Sequence, residues 1–261
     1  MKIRLDIYLT DLGFASSRMR AKEMIESGIV LVNGIPAKKS GQQIEDTDKI
    51  ELSGRQNPYV SRGGLKLEKA IKVFNLDLNK KTAMDIGAST GGFTHCMLLN
   101  GAERVYAVDV GKDQLHESLR EDERVINLEK TNIRTLSCDI VPPVDFISID
   151  VSFISLLQVL PTAKNFLKED GEIVALIKPQ FEAGKTNLNK KGVVKDKKIH
   201  LKVISEILEF SEQIGLFPQK LDFSPVKGPE GNIEYLVLLA KQKTDNDIDA
   251  SKVVNESHIS L

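Results

Sequence analysis

Lysine is a poor residue with which to finish a buried strand, yet Lys178 closes the run Ile173-Val174-Ala175-Leu176-Ile177. Asp150 likewise ends Asp145-Phe146-Ile147-Ser148-Ile149. An amine and a carboxylate delivered to strand ends can hold or move a proton. A third stretch, Met84-Asp85-Ile86-Gly87-Ala88-Ser89-Thr90-Gly91-Gly92-Phe93, carries an apolar strand through a small-residue loop into a helix. The free N–H groups at that helix start face a ligand. Its spacing, D-x-G-x-S-x-G-G, is not the dinucleotide pattern G-x-G-x-x-G, because Ser89 stands where the second glycine belongs. Asp109 ends the next apolar run, Val105-Tyr106-Ala107-Val108. A carboxylate about twenty residues past such a loop is placed to hold ribose hydroxyls. An ordinary strand–helix turn explains the glycines alone, whereas loop and acid together point to a nucleoside cofactor.

Hydrophobic periodicity supplies the elements that position these groups. Strands are expected over 82–87, 104–109, 124–128, 144–150, 171–178, 216–223 and 233–240, with helices over 91–100, 112–120, 153–166 and 198–213. Such alternation describes an α/β fold, a mostly parallel sheet covered on both faces. The last two strands, joined by 224–232 with no helix, must pair antiparallel. In an open sheet of this kind, sites lie outside the carboxyl ends of the parallel strands. Asp150 and Lys178 end strands at that rim. Glu234 starts a strand running the other way and so meets the same rim. Lys66 can join them from the helix marked by Leu67, Ala70, Ile71 and Phe74. Each charge taken singly could simply meet solvent.

Residues 1–52 read as a separate small unit, 53–60 as a linker and 61–243 as the main domain; the polar, acidic 244–261 reads as a frayed tail. In the small unit, Leu5, Tyr8, Leu9 and Leu12 mark one helix and Ala21, Met24 and Ile25 a second, ending at Gly28. Ile29-Val30-Leu31-Val32 then enters an Asn33-Gly34 hairpin turn, and 44–52 closes the unit as one strand. Arg18, Arg20 and Lys22 lie in the first turns of the second helix, where the dipole prefers acids. A local rule broken without structural gain marks a functional candidate, although Lys22 can pair with Glu26. The net charge is only −1, but residues 185–202 hold seven lysines against Asp196 alone. Two such basic stretches, here and at 55–81, suggest a polyanion-binding face. Cys96 and Cys138 lack the spacing of a disulfide framework or zinc site. No apolar leader or membrane-length run is present, so a cytoplasmic protein is expected.

The first fifty residues, with Ser17-Arg18, Ile25-Glu26-Ser27-Gly28 and Asn33-Gly34 in register, resemble the S4 domain, a small RNA-binding module. The acidic-first loop resembles the one methyltransferases use to seat S-adenosylmethionine, making the sheet a Rossmann-like variant with one antiparallel strand. Lys66, Asp150, Lys178 and Glu234 resemble the Lys-Asp-Lys-Glu set of FtsJ-like ribose 2′-O-methyltransferases. With S-R-G-x-x-K-L, D-V-S-F, K-P-Q-F-E and G-N-x-E in order, the chain to about residue 242 is similar to the TlyA-type family. That resemblance implies methylation of a ribose in ribosomal RNA, commonly a cytidine, with S-adenosylmethionine as cofactor and no metal. It implies cofactor contacts at Asp85, Gly87, Ser89, Thr90, Gly91, Gly92, Phe93 and Asp109, while Asn132 sits near the adenine or merely forms a turn. The implied RNA-facing set is Arg4, Arg18, Arg20, Lys22, Lys38, Lys39 and Arg62. Lys178 would hold or take the hydroxyl proton, beside positive charge from Lys66 and the sulfonium, with Asp150 and Glu234 holding the two ammonium groups. His95 and His200 are read as structural or surface residues. A base-amino methyltransferase would carry Pro-Pro-Tyr/Phe where Asp150-Val151-Ser152-Phe153 stands. A cytosine-C5 enzyme needs a cysteine at the rim. A membrane-lytic protein should show an amphipathic insertion segment.

Overall fold

A computed structural model describes the chain apart from Met1, Ser27, Asp46, residues 53–56 and 245–246, and the side chain of Pro229. Part of the expected linker therefore lies outside the described residues. The chain divides into two compact units, Met1–Pro58 and Tyr59–Leu261.

In the first unit, β1 (Ile3–Arg4) leads into α1 (Leu5–Asp11) and α2 (Arg18–Glu26), followed by β2 (Val30–Val32), β3 (Ile35–Pro36), β4 (Gln43–Ile44) and β5 (Ile50–Leu52). Leu5, Leu9, Ala21, Ile25, Val30 and Ile44 form its buried core. Asn33 at φ 53° and Gly34 at φ 79° make the hairpin turn that joins β2 to β3, as the Asn-Gly pair demands. The single strand expected over 44–52 is instead two. Ile44 pairs with Ile3, whereas Ile50–Leu52 pairs with β2, because Asp48 accepts the Glu45 N–H at 2.7 Å and turns the chain between them.

The cations of α2 all find acid partners, Lys22 the Glu26 expected of it and Arg18 one that the sequence did not reveal. Buried Asp6 accepts from Arg4 at 2.8 and 3.0 Å and from Arg18 at 3.3 Å, Arg20 meets Glu23 at 3.1 Å, and Lys22 lies 3.7 Å from Glu26. Arg18 at the helix start thus has a structural reason: it helps neutralise a carboxylate beneath it.

The second unit is built on one seven-stranded sheet. Its elements are α3 (Gly63–Phe74), β6 (Thr82–Ile86), α4 (Gly92–Leu99), β7 (Arg104–Val108), α5 (Glu117–Arg120), β8 (Val125–Leu128), β9 (Val144–Ile149) and α6 (Leu156–Asn165). They continue with β10 (Leu167–Ile177), α7 (Pro179–Glu182), α8 (Lys197–Gln213), β11 (Phe217–Phe223), β12 (Tyr235–Ala240) and α9 (Ala250–Ser260). The order is β11-β12-β10-β9-β6-β7-β8, with β12 antiparallel to both neighbours and β6 to β10 parallel among themselves. Side chains alternate between two cores. Ile173, Ala175 and Ile177 face the core under α6 and α8, while Val174 and Leu176 face the core under α3 and α4.

Three expected elements differ. The helix over 112–120 shrinks to Glu117–Arg120, because Glu129 takes the N–H groups of Gln114 and Leu115 at 2.6 and 3.0 Å and holds that stretch as a loop. The helix over 153–166 starts only at Leu156, since Phe153 has φ 65°, and Ser155 caps it. The tail expected to fray contains α9, whose Val254 and Ser257 are buried. The Tyr235 hydroxyl joins His200 Nδ1 at 2.8 Å and Ser257 at 3.2 Å, and His200 Nε2 meets the Val194 carbonyl at 3.0 Å. Polar composition concealed a helix that docks through buried Val254, flanked by partly buried Ala250 and Val253, and a buried hydroxyl network.

The Asp6 carboxyl is held down at about 2, first by the Arg4 hydrogen bonds and then by Arg18, with burial opposing. In the unfolded chain it titrates near about 3.9, so its stabilising effect is complete above that and is lost as pH falls further. Asp6→Asn is expected to lower amide-exchange protection of the first unit at neutral pH. The gap to the natural chain should close as pH drops from about 4 toward about 2.

Candidate active site at the carboxyl rim of the sheet

Strand periodicity brings the four charged residues together. Asp150 continues the face of Phe146 and Ser148, Lys178 that of Val174 and Leu176, and Glu234 that of Leu236 and Leu238. All three therefore emerge on the face covered by α3, which supplies Lys66 from its first turn. Lys66 Nζ lies 2.7 Å from Glu234 Oε2 and 3.4 Å from Asp150 Oδ2, and Lys178 Nζ lies 2.5 Å from Asp150 Oδ1. Ser152 Oγ accepts from Lys178 at 3.1 Å, and Gln180 Nε2 donates to Glu234 Oε1 at 3.1 Å. Glu234 is 0% exposed, Lys178 6% and Lys66 9%. At this depth the charges are tolerable only because two cations meet two anions. Burial alone would lower the Lys66 ammonium, but Asp150 and Glu234 reverse this and hold it above its ordinary value. Burial would likewise raise the Asp150 carboxyl, and the charges of Lys66 and Lys178 bring it below the usual carboxylate range.

Beside this cluster, β6 ends in the loop of Gly87, Ser89 and Gly91, all at positive φ. A cavity of about 430 Å³ opens there, lined by Gly87, Ser89, Asp109, Asn132 and Asp150, with an apolar wall of Val108, Val110, Ile133, Val151 and Ile154. Asp109 accepts from Ser89 N at 2.8 Å and Gly111 N at 2.6 Å, which leaves further lone pairs for a ligand. Asn132 both lines the cavity and caps a short turn by accepting from Arg134 N at 3.0 Å. Asp85, Thr90, Gly91, Gly92 and Phe93 do not line it. Asp85 lies buried beneath the loop, accepting from Thr94 N and Oγ1 at 2.9 and 2.7 Å and from Ser148 at 3.0 Å. Burial pushes its carboxyl up to about 6. Gly92 is where α4 touches α3: a Cβ there would overlap Ser61 and come 2.9 Å from Gly64 N. Phe93 packs in the core under α3 and α4.

Lys38, Lys39 and Arg62 are exposed; the other four cations named with them carry the acid partners described above. Cys96 is buried with its thiol pushed up to about 12 by burial, and neither cysteine lines the cavity. His95 accepts the Val60 N–H at 3.2 Å, a structural contact. Sequence reasoning missed Ser152, Phe153 and Gln180 as site residues. Phe153 is 90% exposed and its ring centroid lies 5.1 Å from that of Phe181. Its signal was confined to its place inside the D-V-S-F motif.

The carbonyl of Asp150 would lie 2.6 Å from a Cβ at Gly87, whose φ is 86°. Gly87→Ala is therefore expected to destabilise the second unit by at least about 1–2 kcal/mol, measured by chemical denaturation.

Residues 59–241 match the FtsJ-like methyltransferase model and residues 3–50 the S4 domain model. The 16S/23S rRNA (cytidine-2′-O)-methyltransferase TlyA of Mycobacterium tuberculosis is 38% identical over 259 residues, spanning 98% of this chain and 96% of that protein. Hemolysin A of Brachyspira hyodysenteriae is 41% identical over 239 residues, spanning 90% and 98%. A solved Streptococcus thermophilus structure bearing the hemolysin name aligns with a TM-score of 0.78 at 43% identity, covering 99% of this chain and 96% of that one. The chain belongs to the FtsJ-like methyltransferase family, as an S4-bearing member of its TlyA group.

Proposed function

We propose that this protein transfers a methyl group from S-adenosylmethionine to a ribose 2′-hydroxyl of ribosomal RNA, a cytidine in keeping with the name of its mycobacterial relative. The observation that carries this reading is Asp150, which lines the cavity and holds both lysines. The cavity suits the cofactor in size, since small-molecule sites span about 300–1,000 Å³. Asp109 offers lone pairs to ribose hydroxyls, the wall of Val108, Val110 and Ile133 suits an adenine, and Gly87 keeps its backbone clear of Asp150. When bound, S-adenosylmethionine supplies a methyl group on a positively charged sulfur.

A ribose hydroxyl is a weak nucleophile and must shed its proton as it attacks. Lys178, resting on Asp150 and Ser152, holds that hydroxyl, and takes its proton only after its own ammonium has passed one to solvent. Lys66 stays charged between its two carboxylates and keeps Asp150 ionised and aimed at the cavity. Holding the hydroxyl in line with the methyl contributes more than basicity, because fixed geometry supplies up to about 7–11 kcal/mol of a barrier.

The RNA has two further footholds in this unit. Exposed Phe153, its ring tilted 52° against that of Phe181, offers an aromatic face to an unstacked base. Lys185, Lys190, Lys191 and Lys195 are exposed on the segment before α8, and Lys197 and Lys198 on the first turn of α8, a stretch suited to phosphates. Asn232 pins that segment through Gly192 and Val194 at 3.1 and 3.3 Å. Among the described residues no helix is long and apolar enough to cross a membrane, and nothing in the site favours a lytic reading.

Lys178→Met is expected to cut single-turnover rRNA methylation by about 10²-fold or more while calorimetry finds cofactor affinity little changed. A near-normal rate with cofactor bound would remove Lys178 from its role. Lys190→Glu with Lys191→Glu and Lys195→Glu should weaken rRNA binding and flatten its salt dependence by about 1 in log–log slope per lost contact, leaving cofactor affinity intact.

A further inference from the structure

Gln180 lies in α7, two residues past Lys178. Its amide nitrogen donates to Glu234 Oε1 at 3.1 Å, and the other oxygen of that carboxylate takes the Lys66 ammonium at 2.7 Å. Glu234 is wholly buried, and a Cβ at Gly228 would overlap its Oε1, so the carboxylate is hemmed in on that side too. The Gln180 amide cannot be turned round, because its oxygen would then face a carboxylate. In the orientation this requires, Gln180 Oε1 is buried with no hydrogen-bond donor among the described residues. A side chain that leaves its own acceptor unpaired while serving a carboxylate is shaped by the site and not by packing.

We propose that Gln180 is a positioning residue for the methyl transfer: it meets the second oxygen of Glu234 with a neutral donor, so that Lys66 alone neutralises that carboxylate and Lys178 remains on Asp150. A buried ionised carboxylate needs donors on both oxygens. Without the amide, Glu234 competes with Asp150 for the second ammonium and draws Lys178 away from the cavity. Gln180 removes that competition without adding charge to a cluster that is already balanced. The inference rests on the role assigned to Lys178 above.

Gln180→Met and Gln180→Glu test it in the full chain. Gln180→Met removes the donor at near-constant shape, and should slow single-turnover methylation by about 10- to 100-fold across the pH range with cofactor affinity unchanged. Gln180→Glu sets two carboxyls against each other, and they hold a proton between them only at lower pH. That shared proton restores a donor to Glu234, so the rate relative to the natural chain should recover as pH falls from about 8 to about 6. A natural rate for Gln180→Met, or a Gln180→Glu deficit independent of pH, would overturn the proposal.

The contact can be read without substrate. A carboxyl pair titrating above its unfolded value stabilises at low pH and loses that stability as pH rises. The melting temperature of Gln180→Glu should therefore fall progressively behind that of Gln180→Met between about pH 5 and 8. Parallel melting curves refute the contact. If the natural chain methylates no rRNA, the proposed activity fails, and the melting curves still decide whether Gln180 holds Glu234.

Discussion

One carboxylate shared between two ammonium groups, Asp150 between Lys66 and Lys178, is the constraint around which the second unit is arranged. Stripping four charges of water costs several kcal/mol each, and only complete pairing offsets this. Each member therefore depends on the others being in place. Asp150 and Lys178 come from adjacent parallel strands, Glu234 from the antiparallel strand beyond, and Lys66 from a helix outside the sheet. The cluster fastens α3 to the rim of three strands, so the elements that fold the domain also assemble the site.

That fastening needs close backbone approach, and the small residues of the sequence supply it. A Cβ at Gly64 would overlap the ring of Tyr59, and one at Gly92 would strike Ser61 and the backbone of α3. Beneath the same helices, Asp85 anchors the first turn of α4 through both polar groups of Thr94. The glycines after β6 thus divide their work. Gly87 clears the wall of the cavity, whereas Gly91 and Gly92 let two helices and a loop pack against one another. A glycine-rich loop is usually read as a ligand cradle, but here half of it serves the helix junction.

Much of this was legible in the chain. Apolar runs of buried strands are unambiguous when they end in a charge, so Asp150, Lys178 and Asp109 announced themselves, and Asn33-Gly34 announced its turn. What periodicity could not see were backbone donors diverted by remote side chains. Glu129 unravels an expected helix by taking the N–H groups of Gln114 and Leu115, and Asp48 splits an expected strand at Glu45. The C-terminal helix was hidden for the opposite reason: its docking rests on Ala250, Val253 and Val254 with a hydroxyl network, too few apolar residues to announce a stripe.

The amino-acid sequence by itself determined the alternation of strands and helices, the reversal of the last strand and the arrival of three charges at one rim. These follow from local periodicity and the short 224–232 connection. Only the tertiary structure decided how those charges pair: that Lys66 bridges two carboxylates, that Lys178 belongs to Asp150, and that Gln180 completes Glu234. It also decided that Arg18 answers Asp6 beneath it. The physical reason is that pairing is set by distances of a few ångströms between residues as many as 168 positions apart. Strand parity names the face on which a side chain emerges, but packing alone selects its partner there.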